Sequence, residues 1–143
     1  MKSIVKKTTV ALPAAEVWKK WTTEEGIKSF FSQKCKIELK VGGAYEMYFL
    51  QDNPKGMQGS EGCKILSYLP EKMLSFSWNA PPEYPNVRGI HTWVVLLFDE
   101  SDKLTHLTLT HLGWGTGEEW DQVYSYFENA WDFVFNKLNE SIH

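Results

Sequence analysis

The C-terminal end of the chain most restricts what the rest can build. Trp120, Tyr124, Phe127, Trp131, Val134, Phe135 and Leu138 recur at helical spacing and give the segment one aromatic-rich face. Thr116 and Glu119 stand three apart as a capping box, and Glu118, Glu119 and Asp121 place negative charge at the positive end of the helix they open. The spacing predicts one continuous helix from Thr116 to about Asn139. At 1.5 Å per residue it is roughly 35 Å long, enough to cross a small domain. Such a face needs a broad apolar surface to cover it.

That surface lies upstream, where Cys35 to His111 reads as strand throughout. Cys35, Ile37 and Leu39 alternate with charged residues, and Gly42-Gly43 supplies a tight turn into Tyr45, Met47 and Phe49. The polar stretch Gln51 to Gly59 is a loop. Cys63 and Ile65 then lead through a turn at Pro70-Glu71 to Leu74, Phe76 and Trp78, with Ser75 and Ser77 on the wet side. Three prolines between Ala80 and Asn86 exclude a central strand there. Ile90 to Phe98 turns at Asp99 to Asp102 and returns through Leu107, Leu109 and His111. Ahead of this block, Ile4 to Val10 alternates as a strand. Pro13 and the stripe Ala14, Val17, Trp18 and Trp21 predict a short helix, and Thr22 with Glu25 reads as the capping box of a second one running through Ile27, Phe30 and Phe31.

The order strand, two short helices, a run of antiparallel strands and one long helix is an α+β plan, a curved sheet closed over its last helix. With 143 residues, 43% of them hydrophobic, the chain is expected to form one domain over 1–143. A net charge of -3 with no dense Lys/Arg block speaks against nucleic acid as a partner. No apolar run is long enough for a membrane span, and nothing directs the protein away from the cytoplasm. The two cysteines, Cys35 and Cys63, are read as buried, unlinked thiols. No cofactor, metal or catalytic motif is expected.

The inward set of strand residues faces the helix across an unusually aromatic space. Candidate ligand-binding positions are Tyr45, Met47, Phe76, Trp78, Leu109, His111, Trp114, Trp120, Tyr124, Phe127 and Trp131. Aromatics at this spacing fill cores as well as line cavities. His111, at a strand end just before Gly113-Trp114-Gly115, and Tyr124 are the groups expected to orient a ligand at the mouth. Trp114, flanked by glycines, is either a gate or a plug.

Four segments carry a resemblance over nearly the whole chain. Glu16 to Thr22 looks like a characteristic first helix, and Glu38-Leu39-Lys40-Val41-Gly42-Gly43 like an acidic-x-basic-x-Gly-Gly hairpin. Leu74 to Trp78 resembles a central strand, and Leu107 to His111 with Gly113 and the Trp131 helix a C-terminal half. Together they resemble the activator-of-Hsp90-ATPase-like group of the START/Bet v 1 helix-grip superfamily. The resemblance implies a helix-grip fold. It covers lipid and polyphenol binders, polyketide cyclases and a co-chaperone domain, so it does not choose among activities. At 143 residues the chain is expected to be one such domain, without the additional N-terminal domain of the full eukaryotic co-chaperone.

Three functions are therefore compared. The first is binding of a hydrophobic, aromatic or lipid-like small molecule between sheet and helix. A cyclase-like enzyme with His111 as general base needs an opposed acid, and none is evident. The third is a protein-interaction or stress-related domain, using the outward stripe Trp93, Val95 and Leu97 to pair two copies or dock a partner, unless the loop Ala80 to Asn86 covers it.

Overall fold

The computed structural model describes residues 1–142. The chain runs β1 (Ile4–Val10), α1 (Ala14–Thr22), α2 (Glu24–Lys28), β2 (Cys35–Ile37), β3 (Tyr45–Met47), β4 (Ile65–Leu69), β5 (Met73–Trp78), α3 (Pro85–Arg88), β6 (Thr92–Ser101), β7 (Leu104–Leu112) and α4 (Glu118–Glu140). It is the α+β helix-grip architecture. Five antiparallel strands lie in the order β1-β7-β6-β5-β4, and β2 pairs with β3. Main-chain hydrogen bonds from Tyr45 N to Cys63 O (2.9 Å) and from Ile65 N to Gly43 O (2.9 Å) continue the large sheet into the small one. The extended surface curls around α4.

Alternation in the strands places the core as expected. Tyr45, Met47, Ile65, Leu74, Phe76, Trp78, Leu107 and Leu109 are all buried, while Phe49, beyond the end of β3, is exposed. Ser75 is also buried, on the opposite side of β5, where its hydroxyl meets that of Ser67 at 2.7 Å. The β2–β3 turn contains Gly42 at φ +80°, a conformation that suits glycine. The β6–β7 hairpin turns at Asp102 and Lys103, both at positive φ, so β6 runs three residues past the predicted Phe98.

Both expected capping boxes shift. Thr22 ends α1 instead of opening α2, its hydroxyl donating to the Trp18 carbonyl at 2.7 Å. Thr23 is the cap, accepting from Gly26 N at 3.0 Å, and Phe30 and Phe31 follow the helix in a turn. Gly117, at φ 119°, caps α4 without any side chain. Thr116 does not cap, and Glu119 accepts from Asn86 N (3.2 Å), tying the first turn of α3 to the start of α4.

Burial along α4 follows the aromatic face: Trp120, Val123, Phe127, Trp131, Phe135 and Leu138. Both cysteines are unlinked; Cys63 is buried, but Cys35 is only half-buried, because β2 lies at the edge of the sheet. On the outer face Trp93 and Val95 are half-buried and Leu97 is exposed. Residues Ala80, Pro81 and Glu83 lie at the other side of the sheet, toward α4, so the proline-rich loop is not what shields that stripe. Among the described residues no helix is long and apolar enough to cross a membrane.

Candidate functional site

The space between sheet and α4 has two ends. At one end the side chains of Trp131, His111, Thr92, Trp114 and Tyr124 are all paired. The Trp131 indole N–H donates to His111 Nδ1 at 3.0 Å, and His111 Nε2 lies 2.7 Å from the Thr92 hydroxyl. An indole nitrogen can only donate, so Nδ1 is the acceptor and the imidazole carries its proton on Nε2, toward Thr92. The Thr92 hydroxyl in turn donates to the Trp78 carbonyl at 3.2 Å. Burial alone pushes the His111 pKa down to about 3, which keeps the ring neutral. Its one lone pair is occupied by Trp131, so His111 has none with which to take a proton from a substrate. It is a buried connector and not the mouth-facing group expected from its strand position.

Trp114 and Tyr124 close the same end. The Trp114 indole donates to the His111 carbonyl at 3.0 Å, and its ring packs against His111 and Tyr124 with centroids 4.3 and 5.1 Å away. Gly113 permits this. At φ +94° it turns the chain sharply, and a Cβ there would come within 2.6 Å of the Trp93 ring. Trp114 is thus seated as a plug. The Tyr124 hydroxyl donates to the Ser3 carbonyl at 2.9 Å, with Lys2 Nζ 4.1 Å from its ring centre, so it anchors the N-terminus and does not face a ligand. Trp120 is buried beside Trp114.

At the other end the packing opens. A cavity of about 340 Å³ lies between the ends of β3 and β5, the Phe30-Phe31 turn and the middle of α4. Phe31, Trp78, Phe127 and Trp131 form its inner wall, with Phe31 centred 5.8 Å from Trp78 and 5.9 Å from Trp131. Ala130 leaves a gap in the helix face between these larger side chains. Phe49, Leu50, Tyr126 and Phe133 line the mouth and are exposed, Phe133 at 62%.

Of the positions singled out from sequence, Trp78, Phe127 and Trp131 line this cavity. Tyr45, Met47, Phe76 and Leu109 lie in the filled core, where the Tyr45 hydroxyl donates to the Trp21 carbonyl at 2.8 Å. His111, Trp114, Trp120 and Tyr124 belong to the closed end. Sequence reasoning missed Phe30, Phe31, Ala130, Phe133 and Asn79 as wall residues. The one signal for them was Ala130, a small residue interrupting an aromatic stripe.

A polar brace holds the mouth loops. Arg88 donates to the carbonyls of Ala80 (2.5 Å), Gly56 (2.7 Å) and Gly59 (2.9 Å) and lies 3.4 Å from Glu61. Burial works against the Glu61 carboxylate, yet backbone N–H groups, including those of Gln58, Gly59 and Gly56, outweigh it and hold the pKa below its usual value. The loop before β4 and the loop after β5 are thereby joined at one point.

The family model described as "Activator of Hsp90 ATPase homolog 1-like protein" matches residues 11–142. Among solved structures, protein MLL2253 from Mesorhizobium loti is 20% identical, with 99% of this chain and 96% of that one covered and a TM-score of 0.78. The Aha1 dimer from Colwellia psychrerythraea is 17% identical, covering 99% and 96%, with a TM-score of 0.75. CalU16 from Micromonospora echinospora is 22% identical, covering 99% and 74%, with a TM-score of 0.73. At these identities the likeness speaks for the fold alone. No curated protein matches the chain.

Proposed function

The chain belongs to the Activator of Hsp90 ATPase homolog 1-like family, and on that premise we propose that it binds a hydrophobic, aromatic or lipid-like small molecule between its sheet and α4. It does so as one domain, in the cytoplasm, a compartment in which the Cys35 and Cys63 thiols stay reduced. The observation that carries this reading is the apolar cavity of about 340 Å³, which is open at a mouth of exposed aromatic and aliphatic side chains. Its size lies in the range of small-molecule sites. Removing apolar ligand surface from water there contributes about 25 cal/mol per Å². Trp78 and Trp131 both line the cavity, so a bound ligand changes intrinsic fluorescence. The test is native mass spectrometry of the purified protein followed by fluorescence titration with fatty acids, flavonoids and fused-ring aromatics. Absence of any micromolar ligand across these classes would end the reading.

A second reading has its own observation. Leu97 on the outer sheet face is exposed, and across the strand pairs it neighbours Met73 on β5 and Thr108 on β7, beside half-buried Val95 and Trp93. The related Colwellia protein is described as a dimer. Pairing of two copies through this face is checked by measuring mass against concentration, with and without Leu97→Lys. Equal masses for the two proteins, or a monomer at every concentration, would remove it.

A further inference from the structure

We infer that Asn79 reads the ligand in this cavity, selecting apolar ring molecules that carry a hydrogen-bond donor, a phenolic hydroxyl above all. The inference rests on the binding reading proposed above. Asn79 follows the last residue of β5, lines the cavity and is only 7% exposed. Its side-chain Nδ2 donates to the Glu61 carbonyl at 3.4 Å, near the long limit of a hydrogen bond. Two carbonyl oxygens do not pair, so the end facing Glu61 is the NH₂, and the end left over is an acceptor. Among the described residues no donor reaches that Oδ1.

The other polar side chains around the cavity are committed or lie at its rim. Ser60 Oγ accepts from Met47 N at 2.8 Å and donates to the Tyr45 carbonyl at 3.4 Å. Gln58 Nε2 donates to the Asn53 carbonyl at 2.9 Å, and its Oε1 is a second acceptor, on a half-buried residue less enclosed than Asn79. Glu83 and Tyr126 are exposed at the mouth. Asn79 Oδ1 has no protein partner and is not fully buried, so water reaches it in the cavity. An apolar ligand that covers it removes that water at a cost, and a ligand O–H or N–H that reaches it removes the cost. The amide is also held in place. Its own contact is to Glu61, and the next residue, Ala80, gives its carbonyl to Arg88 at 2.5 Å. An acceptor fixed in advance on an apolar wall distinguishes a donor from an isosteric ether more sharply than a mobile one does.

Three fused-ring probes of similar shape test this: 1-hydroxypyrene, 1-methoxypyrene and pyrene, titrated by fluorescence against the unaltered protein and against Asn79→Leu. The expected result is that 1-hydroxypyrene binds the unaltered protein roughly five- to tenfold tighter than either other probe. In Asn79→Leu that preference disappears while pyrene binding is kept. Equal affinities for all three probes on the unaltered protein would overturn the role of Asn79 and leave the cavity reading standing. A preference that survives in Asn79→Leu would overturn it too. Failure of all three probes to bind would overturn this inference, and the cavity reading falls with it only if fatty acids and flavonoids fail to bind as well. The hydroxyl-against-ether comparison needs no variant, so it decides the matter even if Asn79→Leu does not fold.

Discussion

The two ends of the space under α4 are built from the same kinds of side chain, yet one is filled and the other is open. At the filled end Trp131, His111, Thr92 and the Trp78 carbonyl form an unbroken donor–acceptor series, and Trp114 and Tyr124 close it with hydrogen bonds to main-chain carbonyls. At the open end Phe30, Phe31, Phe49 and Phe133 have no polar atoms to pair, and Ala130 contributes almost no volume. Aromatic content therefore does not separate core from cavity. What separates them is whether the rings carry polar atoms that lock onto partners, and whether the helix supplies bulk at the facing position.

The largest effect that tests this contrast comes from shortening one ring at each end of the exposure scale. Phe76→Ala, at a fully buried site packed on Tyr45 at 4.3 Å, is expected to cost about 3 to 5 kcal/mol by urea denaturation. Phe133→Ala at the mouth should stay within about 0.5 kcal/mol. Similar losses at the two sites would mean the open end is as tightly built as the core.

Acid sharpens the contrast next. His111 stays neutral in the fold down to about 3, whereas the unfolded chain takes up a proton near 6.5. Between those values the unfolded state binds more protons, so stability falls as pH drops from 6.5 toward 3. From pH 6.5 to pH 5 the loss is about 2 kcal/mol. Burial lowers the His91 pKa as well, which adds loss of the same sign. His111→Gln should flatten most of the slope over that interval. An unchanged slope would show that the closed end is not where the proton is refused.

The mouth brace ranks third. Arg88→Leu leaves three loop carbonyls without their donor and is expected to cost about 1 to 2 kcal/mol. Hydrogen exchange should quicken at Gly56, Gln58 and Gly59, whose N–H groups bond to Glu61, and stay unchanged in β7. Uniform loss of protection would break the separation of the two regions. Below the brace ranks Tyr124→Phe, which removes the bond to Ser3 and costs about 1 kcal/mol, with ligand affinity unaltered. Weakened ligand binding in that variant would place Tyr124 back at the cavity.

Much of this fold was legible in the residues. Period-two alternation found the inward faces of β5 and β7, and the aromatic stripe located α4 to within two residues at its start, because both signals come from burial on one face. The caps were displaced because neighbouring threonines and glycines offer equally good local chemistry, and tertiary contacts such as Glu119 with Asn86 select among them. The site was harder to read. Periodicity tells which face of α4 meets the sheet but not where along its length the two surfaces diverge, so it assigns His111 and Tyr124 to the mouth although they lie at the closed end. Asn79 lies one residue past the end of β5, where alternation no longer says which way a side chain points.

The register of β1 has a consequence for how the protein is made. Ile4 to Val10 pair with His111 to Thr105, so β1 leaves the ribosome ahead of its partner strand and finds it only after about a hundred further residues have been added. At translation rates of roughly 5 to 20 residues per second, β1 waits on the order of 5 to 20 seconds as an unpaired strand. Its sequence is suited to that interval. Lys6 and Lys7 sit at the centre of an otherwise β-prone segment, and adjacent like charges oppose pairing with the same segment of another nascent chain. In the folded molecule Lys6 is held by Asp132 on α4 at 3.1 Å, so a charge that opposes mispairing of the strand during synthesis ends as a contact to a helix made more than a hundred residues later.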